Sequence, residues 1–153
     1  MIQRIQTLLL LLATIAAGLL LWEQLALCNI DGTVLSEIGQ DSPLSDGKYE
    51  AFDSPISAGI VGLIIVLNIV AIALFKNRPR QILFSWISLV LMVIFTLFMG
   101  IWFYMNYTTL PPNCDVSPAP GIILPVLTIT FLFFAIRRIA ADERLVRSMD
   151  RLR

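Results

Sequence analysis

The sequence predicts an all-α membrane protein. The expected architecture is a four-transmembrane-helix bundle, with a small β-hairpin cap in the first outer loop and an amphipathic C-terminal cytoplasmic helix. Three observations carry this. First, 58% of the 153 residues are hydrophobic and only 14% are charged. Ordinary globular chains run near half apolar and about a quarter charged, and a soluble domain of this size could not hide so much apolar surface. Second, four apolar stretches approach the roughly 20 residues that a bilayer-spanning helix needs. Third, the positive residues are sorted between alternate connections.

The spans run from about Ile5 to Trp22, Ile56 to Phe75, Ile82 to Tyr104 and Pro118 to Ile136. They form a single membrane domain over residues 1–153, with outer loops 23–55 and 105–117 and a tail at 137–153. Arg4 and the apolar run behind it resemble a signal peptide, but no small-x-small cleavage site follows and Glu23 directly succeeds Trp22. The first span is therefore read as retained.

Arg4 precedes span one. Lys76, Arg78 and Arg80 join spans two and three, and six arginines follow span four, whereas the other two loops hold one base between them, Lys48. Positive residues stay in the cytoplasm, so both termini are expected inside a bacterial inner membrane. Trp22, Trp102, Tyr104 and Tyr107 mark the outer interface, and Trp86 marks the inner one.

Boundary residues agree with this frame. Ser54-Pro55 and Ser117-Pro118 each read as an N-cap serine followed by proline at the first helical position. Asn77-Arg78-Pro79 breaks the chain between spans two and three, which should form an antiparallel hairpin. Pro125 should kink span four or loosen its first turns. Thr14 with Gly18, and Ala58 with Gly62, make small-xxx-small pairs that let helices approach closely. No acidic or basic residue lies well within a span. Asn68 is the most polar residue near mid-membrane, read as an interhelical hydrogen bond or a ligand contact.

Cys28 opens the first outer loop and Cys114 lies in the second, so a disulfide is expected between them in an oxidising compartment. Asp31-Gly32 and Asp46-Gly47 between strand-prone residues are hairpin signals. The acidic residues of the first loop fit no EF-hand spacing and read as a solvated surface. With no histidine, the commonest general base and metal ligand is missing. Two cysteines without C-x-x-C fall short of the relay that thiol–quinone electron transfer requires. No phosphate loop is present, and a net charge of zero gives no signal for nucleic acid. No enzyme activity, cofactor or metal site is expected.

After Ala140 the tail ADERLVRSMDRLR has helical period. Ile139, Ala141, Leu145, Val146, Met149 and Leu152 fall on one side and Arg144, Arg147 and Arg151 on the other. Asp142 and Arg153 interrupt the apolar side. The tail is expected either to anchor on inner-leaflet lipids or to dock a protein.

MIQRIQT at 1–7, ALFKNRPRQI at 73–82 and ILPVLTITFLFFAIRRIAADERLVRSMDRLR at 123–153 resemble an uncharacterised family of Bacteroidota inner-membrane proteins, known as a domain of unknown function. The resemblance rests on Gln3, Arg4, Gln6, Lys76, Asn77, Arg78, Gln81, Asp142, Glu143, Leu145, Val146, Arg147, Ser148, Asp150, Arg151, Leu152 and Arg153. It implies four spans and supplies no catalytic residue. All three motifs fall on the expected cytoplasmic face, unlike a transporter signature near the midplane.

The functional expectation is a non-enzymatic scaffold or accessory subunit. Its partners are membrane lipids and a protein docked through Arg4, Lys76, Asn77, Arg78, Glu143, Arg147, Asp150 and Arg151. The alternatives are a small-molecule or lipid-binding transporter-like protein, motivated by Asn68, Pro125 and the capped outer end, and a thiol–quinone oxidoreductase using Cys28 and Cys114.

Overall fold

The computed structural model describes residues 2–29, 48–75, 77–107 and 115–150. Four helices account for most of them: α1 (Ile2–Leu19), α2 (Pro55–Ala73), α3 (Arg78–Tyr107) and α4 (Ile123–Asp150). Three short strands accompany them: β1 (Ala26–Asn29), β2 (Lys48–Tyr49) and β3 (Asp115–Pro118). The helices pack in a closed ring, α1 on α2, α2 on α3, α3 on α4 and α4 back on α1. Three of them, α2, α3 and α4, are long and apolar enough to cross a membrane, and α1 contributes a shorter apolar stretch, Ile5–Leu19. These helices point to a membrane protein.

The distribution of side chains says why. The ring buries small and polar residues: Ala13, Ala17, Ser57, Asn68, Ser85, Ser88 and Thr128 have no accessible surface. Its outside is Leu8, Leu11, Ile15, Leu63, Val66, Ile69, Val90, Ile94, Leu97, Ile101, Phe133 and Phe134. A soluble protein segregates these classes the other way. Such a belt is at home in lipid, where helices meet through small residues and hydrogen bonds.

Each element ends for a local reason. The last turn of α1 tightens at Gly18 and Leu19, whose carbonyls accept from the amides of Leu21, Trp22 and Glu23. Ser54 and Pro55 open α2 as expected, yet the Ser54 hydroxyl makes no cap bond. Ser57 does the joining instead, donating its hydroxyl to the carbonyls of Ser54, at 2.7 Å, and Ala51. At the other end Asn77 donates its amide to Leu74 and accepts from Gln81, so α3 starts immediately and the two helices form a hairpin.

The strands form one antiparallel sheet in the order β2-β1-β3, with Ala26 opposite both Tyr49 and Pro118. A cap on the outer end was expected from the first loop alone; the structure draws its third strand from the second loop. Ser117 and Pro118 are therefore strand residues, not the start of span four. A 3₁₀ turn at Pro120–Ile122 follows, and α4 begins only at Ile123. Pro125 lies in the first turn of α4, where a missing amide hydrogen leaves no helical bond unmade, and the helix runs on unbroken. The Asp31-Gly32 and Asp46-Gly47 turns lie outside the described residues.

Two apolar clusters fill the ring. Leu20, Leu25, Tyr49, Val61, Ile64, Met92, Phe95 and Met99 pack at the sheet end. Leu10, Ala13, Ala71, Leu132, Ala135 and Ile139 pack at the other, the turn end. The small-xxx-small expectation is corrected: Cβ atoms at Gly18 and Gly62 would meet nothing within 4 Å, so neither residue marks a close approach inside this chain. Gly121 does. Its amide donates to the Gln24 carbonyl at 3.1 Å, and a Cβ there would stand 2.3 Å from that same oxygen. Backbone on both sides leaves no room to yield. Gly121→Ala should destabilise the folded chain by about 1–3 kcal/mol, while Gly100→Ala, which faces open space, should leave it unchanged; thermal unfolding in detergent checks both.

Candidate functional site at the turn end

Three helices are tied together at the turn end by polar groups. Gln6 on α1 donates its side-chain amide to the carboxylate of Asp142 on α4, and also to the Arg138 carbonyl at 3.4 Å. Arg78, the first residue of α3, donates Nη1 to the Asp142 carbonyl at 3.1 Å. Gln6, Gln81 and Asp142 are all buried. A buried carboxylate needs donors to replace water, and the Gln6 amide supplies one.

The positions follow from helical period. Gln6 lies one turn before Leu10 and Ala13, the buried stripe of α1. Gln81 lies one turn before Ser85, Ser88 and Met92, the buried stripe of α3. Asp142 lies one turn after Ile139. Each polar residue thus occupies the next inward-facing place as its helix leaves the apolar cluster.

Asp142 corrects the expected tail geometry. The face carrying Ile139 continues to the acid, while Ala141, Leu145 and Val146 are exposed. α4 shows no break at Arg137 or Arg138, and the tail is a direct extension of the same helix. The side chains of Met149 and Leu152 lie outside the described residues.

Of the residues predicted for docking, Arg78 joins the tie, Glu143 is half-buried beside Asp142, and Asn77 is exposed in the α2–α3 turn. The side chains of Arg4, Arg147 and Asp150, and all of Lys76 and Arg151, lie outside what the structure describes. Gln6, Gln81 and Asp142 carried the family resemblance but were not singled out as site residues. The signal available was their place on the core stripe.

A cleft of about 440 Å³ opens beside the tie, lined by Gln6, Thr7, Leu8, Leu11, Phe75, Arg78 and Gln81. A second cavity, about 470 Å³, lies beneath the sheet against α3 and α4. Leu25, Tyr49, Phe95, Met99, Phe103, Ile122 and Val126 make it apolar. Tyr49 is its polar landmark: the hydroxyl donates to the Met99 carbonyl at 3.0 Å, and the ring meets Phe103 edge-on at 5.2 Å. Burial pushes the Tyr49 phenol well above the ordinary tyrosine range, and the Asp53 charge adds to it.

Asn68 is fully buried in the middle of α2, its Oδ1 accepting from the Ser88 hydroxyl on α3 at 2.7 Å. This matches the interhelical reading, and Asn68 lines neither cavity. Cys28 sits in β1 opposite Val116, and Cys114 lies outside the described residues. Among the described residues no group of three cysteines or acids comes together to hold a metal ion.

Residues 2–152 match the model of a family described as a domain of unknown function, DUF4293. The chain belongs to that family. No curated protein and no solved structure matches it. The DUF4293 match spans every helix and strand, so the polar tie and both cavities fall within the family's own extent.

Two outcomes follow. Gln6→Leu should cost this DUF4293 chain about 1–3 kcal/mol by stranding the buried carboxylate, and Gln6→Leu with Asp142→Leu should recover part of that loss in a double-mutant unfolding cycle. The folded state holds the Tyr49 phenol protonated more strongly than the unfolded chain does. Stability from that preference is full below about pH 10 and is lost as pH rises towards the folded value. Alkaline unfolding should therefore be shallower in Tyr49→Phe than in the parent.

Proposed function

We propose that the chain is a non-enzymatic integral membrane scaffold or accessory subunit. In this reading all four helices span a bacterial inner membrane, with the sheet outside and both termini in the cytoplasm. A partner docks on the turn end. The charge sorting supports the orientation, and the Ile5–Leu19 stretch supports a short first span. Cys28 and Cys114 are proposed to be joined; the β1–β3 register sets Cys28 opposite Val116, two residues along the chain from Cys114.

One observation carries the docking reading: α4 continues as one unbroken helix from its apolar part to Asp150. Its 28 residues extend about 42 Å, against a hydrocarbon core of about 30 Å. An anchor lying on the leaflet would have to turn near Arg137. A continuous helix projects into the cytoplasm instead, and the Asp142 tie fixes its direction. It presents Leu145 and Val146, both exposed, beside Arg144. The apolar cavity beneath the sheet favours a second reading, retention of an apolar molecule.

A photocrosslinker at Leu145 should capture a stoichiometric partner in native membranes. Leu145→Glu with Val146→Glu, and separately Arg147→Glu with Arg151→Glu, should abolish co-purification without lowering the yield of folded chain. If the chain purifies alone and neither pair alters anything, the docking reading fails.

A further inference from the structure

The cleft beside the polar tie has two kinds of wall. One end holds Arg78, Gln6 and the buried Gln81. The other is formed by Leu8, Leu11 and Phe75, all exposed. Arg78 uses Nη1 on the Asp142 carbonyl, and a guanidinium carries five N–H groups in a planar fork. Donors therefore remain for an anion. Gln81 lines the cleft and takes no part in the Gln6–Asp142–Arg78 hydrogen bonds. Among the described residues no acid lines the cleft, and Arg78 also stands at the N-terminus of α3, where the helix dipole favours negative charge.

The arrangement runs along the helix. From Gln6 to Leu11 the chain rises about 7.5 Å, from the polar end towards the middle of the apolar belt. A soluble anion would meet the cation but would leave Leu8, Leu11 and Phe75 bare. A molecule with a negatively charged head and a hydrocarbon tail satisfies both ends. We propose that this cleft holds an anionic phospholipid of the turn-end leaflet, its phosphate on Arg78 and an acyl chain along Leu8 and Leu11. The inference rests on the membrane placement of α1 given above and is independent of any protein partner. A bound lipid would fill the gap between α1 and the α2–α3 turn and brace the tie from outside.

The test uses the full chain purified in detergent and titrated with phosphatidylglycerol or phosphatidylcholine, with bound lipid counted by native mass spectrometry. Phosphatidylglycerol should be retained about tenfold better. Arg78→Gln should remove the preference, while Arg80→Gln, an exposed arginine on the same helical turn, should keep it. Leu11→Trp fills the apolar wall without touching the tie; it should reduce retention of phosphatidylglycerol and carries the test if Arg78→Gln does not fold. Equal retention of both lipids overturns the proposal. So does equal loss in the Arg80 variant, an unaffected Leu11 variant, or displacement of phosphatidylglycerol by millimolar inorganic phosphate, which would mean a plain anion site. Partner capture at Leu145, read on the same preparations, separates failure of this proposal from failure of the docking reading.

Discussion

A helix whose outward face is leucine, isoleucine, valine and phenylalanine gains nothing by hiding that face from lipid. Its neighbours must be held by something other than apolar burial. Everything else in this chain follows from that constraint. Between its two apolar clusters the interior places alanine, serine, threonine and one asparagine, which allow close packing and offer hydrogen bonds. The Ser88–Asn68 bond joins α2 to α3 where no water is available. Such a bond is worth about 0.6 kcal/mol on average within a membrane, so one alone does not set the arrangement. The stronger constraints are at the two ends.

The ends are built differently because their chemistry differs. At the sheet end, backbone groups do the joining: β1 pairs on both sides, and Leu25, Ala119 and Gly121 add bonds beyond the strands. At the turn end, side chains do it, through one acid, one arginine and one amide. The first kind tolerates many side chains but forbids a Cβ at Gly121. The second kind tolerates no change of residue type at Gln6 or Asp142 without stranding a buried polar group. The two cavities lie next to these two ends.

Much of this was legible in the sequence. Length and hydropathy marked the helices, and Asn77-Arg78-Pro79 marked the α2–α3 turn, because both signals are local. The cap was legible as a cap but not in its pairing. β3 joins β1 from about 90 residues away, and no turn dipeptide announces a pairing at that distance. Ser117-Pro118 was misread for the same reason: serine before proline opens helices and also ends strands, and only the partner strand decides. The site was half legible. Arg78 stood out as a charge near an interface. Gln6 and Gln81 did not, since an uncharged amide near a helix end looks like ordinary surface until its place on the buried stripe is noticed. Asp142 was seen as an interruption of an apolar face; the structure makes that interruption the point of attachment.

The sheet order has a consequence for assembly. β1 is the central strand, made early in the chain, yet its second edge stays open until β3 is made. The carboxylate that receives Gln6 comes later still, on α4. During synthesis from the N-terminus the first three helices therefore exist with both ends untied, and the Gln6 amide and the β1 edge wait for partners. The two closures come last, one at each end of the ring: β3 pairs with the open edge of β1, and α4 then brings the acid to Gln6. A chain that stops short of β3 and α4 presents a strand edge at one end of the ring and an unsatisfied polar side chain at the other, the kind of surface that quality control can recognise.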